Sequence, residues 1–513
     1  MKLTKSDFCM AAQCPKMLWL DKFRREKFNE DSVNQSALDS GGEVGALARG
    51  IFGEYALVNY SPNETEMLAA TAKLMDECVP VIAEATFAYN DLLCRVDVLK
   101  NLGGKEVELY EVKSSTEIKD SYWDDVASQY YVLTKLGYNV KKACLVYVNN
   151  KYVRKGEIDI PQMFATLDMT DFAMRNEQKV HDLIENIRVY LKQDVEPKCD
   201  IDLQCFGKKI KKDKSRKKLP KKKSEKITKC GFFDYCLEHL PQPNIFSVRG
   251  LQKNSMIKHY KNGIISFPQI MDAGILTEKK QIQVDHELLS LPPHIDLTEI
   301  RKFLRQLSFP LYFLDFESTN PAIPMYDDSS PYQQIPFQYS LHILENKGGE
   351  LQHKEYLAYP GYDPRRELAE RLVKDIPFGA CTVAYHMSFE KGRISELTEL
   401  FPDLSYHLMS IHQNMADLET PFSQKHYYVR EFQGSSSIKY VLPSLFPNDP
   451  DLNYHNLEGI HNGKEALEAI KHMEEMTTDE LESCRKNLLA YCKLDTFAMV
   501  KIWQRLCEVA AED

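Results

Sequence analysis

No stretch of the 513 residues approaches the ~20 consecutive apolar residues needed to span a bilayer, which excludes a helical membrane protein. The opening Met1-Lys2-Leu3-Thr4 lacks the apolar core of a secretory signal peptide, so a cytoplasmic location is expected. In that compartment the 13 cysteines do not form a disulfide framework, and metal binding is the better explanation for any that cluster. No internal repeat is visible, and low-complexity sequence is confined to one basic run. What is present is ordinary for a globular protein: 43% hydrophobic and 27% charged residues, in a chain long enough for two or three domains with separate cores.

The net charge of −10 is unevenly spread. Residues 208–226 (KKIKKDKSRKKLPKKKSEK) place twelve Lys or Arg against Asp213 and Glu225. Such a run is either a solvated loop or a loop that grips phosphates, and the two are compatible. Three regions separate on pattern. Residues 1–240 begin with helical sequence and continue through the strand-like runs VIAEATF, LLCRVDVLK and VELYEVKSS, a helix around Ser128–Leu136, and the strand ACLVYV. Residues 241–300, with LPQP and LPPH, read as a helical connector. Residues 301–513 restart with a helix, a strand LYFLDFE and a second in FQYSLHIL, and close with long helices. The order is that of an α/β protein.

Side chains alternate along a strand, so Asp315 and Glu317 at the end of LYFLDFE share one face. Two neighbouring carboxylates repel unless a cation lies between them, and an oxygen-rich pair suits Mg²⁺ or Mn²⁺. A later strand, Ala384-Tyr385-His386-Met387-Ser388-Phe389-Glu390, runs into a helix with a carboxylate near its start. Tyr491 and Asp495 stand at i,i+4 in a late helix and share a face. Four acids and a tyrosine suit two-metal phosphodiester hydrolysis. Between these segments Gly434-Ser435-Ser436-Ser437-Ile438-Lys439 opens a helix whose start could hold a phosphate, with Ser437 and Lys439 the contacts, or could be a plain serine cap. Asp417 is a spare acid, better read as a surface or capping group.

On these residues the C-terminal region resembles the DEDD exonuclease superfamily, whose fold is RNase H-like. Asp315-x-Glu317 matches the first motif, and Tyr491 with Asp495 the tyrosine form of the third. In the second motif His386 stands at the usual Asn and Glu390 at the usual Asp. The resemblance implies 3′→5′ exonuclease chemistry, with Asp315, Glu317, Glu390 and Asp495 holding Mg²⁺ or Mn²⁺ and Tyr491 orienting water.

In the N-terminal region, Asp97 follows Cys94-Arg95-Val96, and Glu111-Val112-Lys113 ends a second strand. A carboxylate followed by Glu-x-Lys on one strand face can hold a metal and set an ammonium beside a phosphate. The order resembles the RecB-type branch of the PD-(D/E)XK, restriction-endonuclease-like nucleases, including iron–sulfur members. That resemblance implies metal ligation by Asp97 and Glu111, a catalytic Lys113, and Gln129 in the helix motif, with Glu84 in support. The branch's N-terminal histidine has no counterpart; Glu43, in Gly41-Gly42-Glu43-Val44-Gly45, stands at its place. Cys14 near the start and Cys205, Cys230 and Cys236 near the end of the region match the way iron–sulfur members staple their termini around a [4Fe–4S] cluster. Cys199 is a competing ligand and Zn²⁺ a competing metal. Cys9, Cys94, Cys381 and Cys492 read as buried cysteines.

From Ser6-Asp7 and Cys14-Pro15 to the Tyr491–Asp495 helix, with Glu111-Val112-Lys113-Ser114-Ser115-Thr116 and Pro336-Phe337-Gln338-Tyr339-Ser340 between, the chain also resembles a bacterial family that joins these two nuclease-like domains. The expectation is a metal-dependent nuclease acting on DNA rather than RNA. An exoribonuclease, or a nucleic-acid-binding protein with one degenerate domain, are the alternatives.

Overall fold

A computed structural model describes residues 2–30, 35–193, 195–206 and 229–511, with 35–40 by backbone alone. The basic run 208–226 lies outside the described residues. The fold is mixed α/β, as the alternation of strand-like and helical segments predicts. Chain contacts define two units. The first takes Met1–Leu240, Lys253–Lys258 and Ala322–Tyr332; the second takes Pro241–Gln252, His259–Pro321 and Gln333–Asp513. Among the described residues no helix is long and apolar enough to cross a membrane.

In the first unit the strands are β1 (Leu3–Thr4), β2 (Ala56–Leu57), β3 (Val81–Tyr89), β4 (Leu92–Gly103), β5 (Glu106–Lys113), β6 (Asn139–Val148) and β7 (Phe164–Asp168). They form a sheet in the order β2-β3-β4-β5-β6-β7, and β1 runs parallel beside the start of β4 with Leu3 opposite Leu92. β5 and β6 are parallel and joined by the helix Asp120–Lys135, a βαβ crossover. That helix buries Val126, Tyr130, Tyr131 and Leu133 against Leu99, Leu109 and Leu145 of the sheet. A capping box starts the first helix, Lys5–Gln13: Asp7 N–H donates to Thr4 Oγ1 and Thr4 N–H donates to Asp7 Oδ2. The box fixes Lys5 as the first helical residue, immediately after β1.

The second unit contains β8 (His294–Ile295), β9 (Leu311–Thr319), β10 (Ile335–Leu344), β11 (Leu351–Leu357), β12 (Cys381–Ala384), β13 (Met415–Asp417) and β14 (Tyr427–Tyr428). Five of them form a sheet ordered β11-β10-β9-β12-β13. β10 is antiparallel to β9 and to β11, while β12 is parallel to β9 and β13 to β12. Chain direction therefore changes between the two sides of β9, the kind of switch point beside which open α/β sheets bind ligands. The 34-residue helix Thr478–Ala511 packs across β9 and β10. Two buried polar links set its register: Gln338 Nε2 donates to Leu488 O at 2.9 Å, and Thr496 Oγ1 bonds both Ser340 Oγ (2.7 Å) and His342 Nδ1 (2.8 Å). Ser340 lies opposite Asp315 in the β9–β10 ladder, so these bonds bring Asp495 alongside Asp315.

Candidate functional site

In the second unit three of the acids predicted from sequence come together. One oxygen from each of Asp315, Glu317 and Asp495 lies within 4.8 Å of the others. Asp315 and Glu317 share a face of β9, as strand alternation requires. Glu390 sits in the first turn of the helix Ser388–Leu400, which starts where β12 ends. It is 2% exposed, and its Oε2 has no hydrogen-bond partner. A buried carboxylate oxygen left unpaired is costly, and a cation would satisfy it. Burial raises every one of them, and repulsion from neighbouring acids of the cluster adds to it at Asp315 and Glu317. Asp315 lies well above the usual carboxylate range through burial, then Asp495, Glu390 and Glu317. Glu317 is raised to about 8 by burial, Asp495 and Glu390, and Glu390 to about 8 by burial and Asp417. Burial raises Asp495 to about 6 although Tyr454, Lys439 and Tyr491 oppose the shift. Asp315, Glu317 and Asp495 thus form an acidic cluster whose oxygens lie close enough together to share a cation.

Tyr491 is buried one helical turn before Asp495, near enough to favour its ionised form. Lys439 is exposed, and its charge acts on both Glu317 and Asp495, so it faces the acids. Ser437 is the exposed N-cap of the helix Ile438–Leu445, and its side chain makes no capping bond. Gly434, at φ +76°, has a reason to be glycine, since an added Cβ would lie 2.2 Å from Gln283 Oε1. Asp417 accepts backbone N–H bonds from His386 (2.9 Å) and Glu419 (3.0 Å), the capping role expected of it. Cys492 is buried with its sulfur 3.6 Å from Asp315 Oδ2.

The first unit gathers Asp97, Glu111, Lys113 and Gln129 into one network. Glu111 is 1% exposed, and both of its oxygens are engaged. Lys5 Nζ donates to them at 2.8 and 2.9 Å, Lys113 Nζ to Oε1 at 2.6 Å, and Gln129 Nε2 to Oε2 at 2.6 Å. Asp125 completes the cluster, receiving Lys113 Nζ at 2.5 Å and Gln129 Nε2 at 3.1 Å. Asp97 Oδ2 accepts the backbone N–H of Val112 at 2.6 Å. Burial opposes ionisation of Glu111, but the Lys113 and Lys5 ammonium groups outweigh it and hold the carboxyl below its usual range. Burial and the nearby Glu111 raise Asp97 to about 7. Glu84 is paired with Arg49 (2.6 Å) and Arg95 (2.9 Å). Glu43 is exposed on the helix Gln35–Arg49.

Cys14, Cys205, Cys230 and Cys236 line a single cavity with Gln13, Lys16 and Phe233. Cys14 precedes the helix Pro15–Phe23, Cys205 lies in the turn Leu203–Phe206, and Cys236 is in the helix Phe233–Leu237. Cys230 N–H donates to Cys205 O at 2.9 Å. Cys199 hydrogen-bonds Cys14, and that bond lowers its thiol to about 6. Among the described residues no group of three Cys, His, Asp or Glu that includes these thiols has its ligand atoms within 4.8 Å of one another. Tetrahedral zinc, at about 2.3 Å from each sulfur, needs sulfurs about 3.8 Å apart. The cysteines therefore stand wider than a zinc centre requires. Cys94, Cys381 and Cys492 are buried, and Cys9 is half-buried.

Residues 312–437 match a family model described as a domain of unknown function (DUF2779). The match includes Asp315, Glu317, Glu390 and Ser437 and ends before Tyr491 and Asp495. The chain is similar to the uncharacterized protein UU173 of Ureaplasma parvum, 29% identical over 220 residues, covering 39% of this chain and 31% of that one. It is also similar to the uncharacterized protein MG366 of Mycoplasma genitalium, 26% identical over 209 residues, covering 37% and 31%. The MG366 homolog of Mycoplasma pneumoniae is 25% identical over 206 residues, with the same coverage. The chain thus spans about a third of the length of the curated relatives it matches. No solved structure matches the chain.

Three residues of these sites escape a reading of the sequence. Asp125 precedes Gln129 by one helical turn, a spacing that could have flagged it. Lys5 is 106 residues from Glu111, and no local pattern links them. Tyr454, whose hydroxyl donates to Asp495 Oδ1 at 2.6 Å, lies in an irregular segment between motifs and carries no periodic signal.

Proposed function

We infer that the chain is a metal-dependent nuclease, with a 3′→5′ exonuclease site of the DEDD, RNase H-like kind in the second unit and a RecB-type, PD-(D/E)XK site in the first. DNA is the expected substrate. The observation that carries the reading is the convergence of Asp315, Glu317 and Asp495 within 4.8 Å, beside the unpaired buried oxygen of Glu390. The donor set fits Mg²⁺ or Mn²⁺, all of it carboxylate oxygen. Such ions, when bound, lower the pKa of water and stabilise charge on the departing oxygen. The chain's own residues do the rest. Tyr491 holds its hydroxyl at the acid cluster, where it can orient the attacking water. Lys439 and Ser437, exposed near the acids, would receive the backbone phosphate of a bound strand.

In the first unit Asp97 and Glu111 would share a divalent ion, Lys113 would face the scissile phosphate, and Gln129 orients Glu111. The four cysteines would hold a [4Fe–4S] cluster that ties both ends of the unit together; zinc is the alternative. A second reading is favoured by one observation. Because two lysines and Gln129 already occupy the oxygens of Glu111, the first unit can act as a nucleic-acid clamp serving the second.

The test is cleavage of matched end-labelled DNA and RNA oligonucleotides by purified protein in Mg²⁺ or Mn²⁺, beside Asp315→Ala and Lys113→Ala. Loss of separate activities in the two variants is the expected result. Failure to cut either polymer in either metal overturns the nuclease reading. Asp97→Ala that cuts like wild type and still shifts DNA in a gel selects the clamp.

A further inference from the structure

Two residues beyond the end of β12, the backbone of His386 enters the left-handed region at φ +67°. A non-glycine residue there is uncommon and persists only where its surroundings fix it. Here they do so three times over. His386 N–H donates to Asp417 Oδ1 at 2.9 Å, and the same oxygen accepts Glu419 N–H at 3.0 Å, which binds the ends of β12 and β13 together. The ring follows the backbone, with Nδ1 2.7 Å from Glu419 Oε2. Glu419 is in turn held from its other oxygen by Ser436 Oγ at 2.6 Å, and Ser436 O accepts Tyr385 Oη at 2.6 Å. His386 O then accepts Phe389 N–H at 3.2 Å, opening the turn that carries Glu390.

This much anchoring serves a side chain that remains 68% exposed. A core histidine would be buried by such a network, and a surface histidine would not need it. An imidazole oriented through Nδ1 by a fixed carboxylate presents Nε2 outward, the arrangement found where a histidine moves a proton. Two carboxylates face His386, Asp417 at the end of β13 and Glu419 two residues beyond it, and Glu390 follows four residues along the chain. The hydroxyls of Ser436 and Tyr385 complete its surroundings.

We propose that His386 is a further catalytic residue of the second unit, giving the Nε2 proton to the departing 3′ oxygen, with Glu419 as its positioning residue. The assignment rests on the nuclease reading above. In the step, the oxygen of water bonds to phosphorus and the P–O3′ bond breaks. Its electron pair leaves on O3′, which takes the Nε2 proton; the proton lost by water passes to solvent, from which His386 is recharged. Tyr491, on the long helix, is left to the water.

The experiment compares full-length wild type, His386→Asn and Glu419→Gln in Mn²⁺ on two single-stranded DNA substrates. One has an ordinary terminal phosphodiester and the other a 3′-bridging sulfur, whose leaving thiolate needs no proton. Asparagine is chosen because it tolerates the left-handed backbone, and thermal melting with Mn²⁺ binding checks that the variant is intact. His386→Asn should lose about 100-fold in kcat on the oxygen substrate, the usual scale of general-acid catalysis, and stay within about 3-fold of wild type on the sulfur one. Glu419→Gln should show the same pattern more weakly. Equal losses on both substrates, or no loss on either, overturn the assignment while leaving the nuclease reading intact. A wild type that cuts neither substrate removes both.

Discussion

Tyr454 donates its phenolic hydrogen to Asp495 Oδ1 at 2.6 Å, and its ring packs 5.9 Å from that of Tyr491. Asp495 thus takes its bond from a tyrosine before the long helix, while Tyr491, on that helix, packs against that tyrosine's ring. The Tyr454 hydroxyl fixes which way the Asp495 carboxylate turns. Tyr454→Phe removes that bond and keeps the ring. A hydrogen bond to a charged group contributes about 1.5–3 kcal/mol, so unfolding should be easier by an amount of that order. Exonuclease kcat should fall roughly tenfold as Asp495 gains rotational freedom. Urea denaturation and single-turnover cleavage check the two effects; unchanged values in both would show that the contact is incidental.

The raised acids of the second unit set a pH dependence whose sign is fixed. Carboxyls in the unfolded chain titrate near 4, whereas burial and neighbouring acids raise Glu317 and Glu390 to about 8 and Asp495 to about 6. Groups whose folded pKa is raised contribute stability that is complete below their unfolded pKa and lost as pH rises through the folded value. Metal-free protein should therefore melt at progressively lower temperature from about pH 5 to pH 9. Added Mn²⁺ should restore stability, with a larger increment at pH 8 than at pH 6, because protons and metal compete for the same oxygens. The matched control is Glu317→Gln, whose melting should depend less on pH. A wild type that becomes more stable across this window without metal, relative to that control, contradicts the geometry.

At Glu111 in the first unit the same logic runs in the opposite direction. Lys5 and Lys113 hold Glu111 ionised, and removing one partner of a buried pair leaves charge uncompensated. Lys5→Met should cost about 1–3 kcal/mol in urea unfolding, because Lys113 and Gln129 still serve Glu111. Lys5→Met combined with Glu111→Gln should recover part of that loss. The recovery is the discriminating result; additive losses would mean that Lys5 acts elsewhere.

What was legible in the sequence follows the range of each signal. β3 to β6, β9 and β10 each announce themselves as apolar runs, because strand burial is written in contiguous residues; β11, Leu351–Leu357, is mostly polar and gives no such signal, and β12 ends at Ala384, the residue from which the sequence predicts a strand. Asp315 with Glu317 and Tyr491 with Asp495 are visible as local spacings of two and four. That Ser340, Thr496 and His342 lock the long helix so that Asp495 meets Asp315 is a long-range fact with no local trace. The same holds for Lys5, delivered to Glu111 by the pairing of β1 with β4 and by a capping box that only sets where a helix begins. Four cysteines scattered over more than 220 residues were grouped by resemblance rather than by spacing, and they do line one cavity.

That cavity yields the last prediction. Cys14, Cys205, Cys230 and Cys236 line it, while Cys199 touches it only through its hydrogen bond to Cys14. If the four are the ligands of a [4Fe–4S] cluster, Cys236→Ala should abolish bound iron and acid-labile sulfide in anaerobically purified protein. The same change should lower the melting temperature by several degrees, since it unties the N-terminal helices from the end of the unit. Cys199→Ala should retain iron and sulfide near the wild-type ratio, because a cluster needs four thiolates and has them. If Cys199 is the true fourth ligand, the two variants exchange phenotypes. Equimolar zinc and no sulfide in the wild type would instead mean that, in any three of the cysteines, at least one pair of sulfurs closes in by about 1 Å or more to reach the ~3.8 Å spacing that tetrahedral zinc demands.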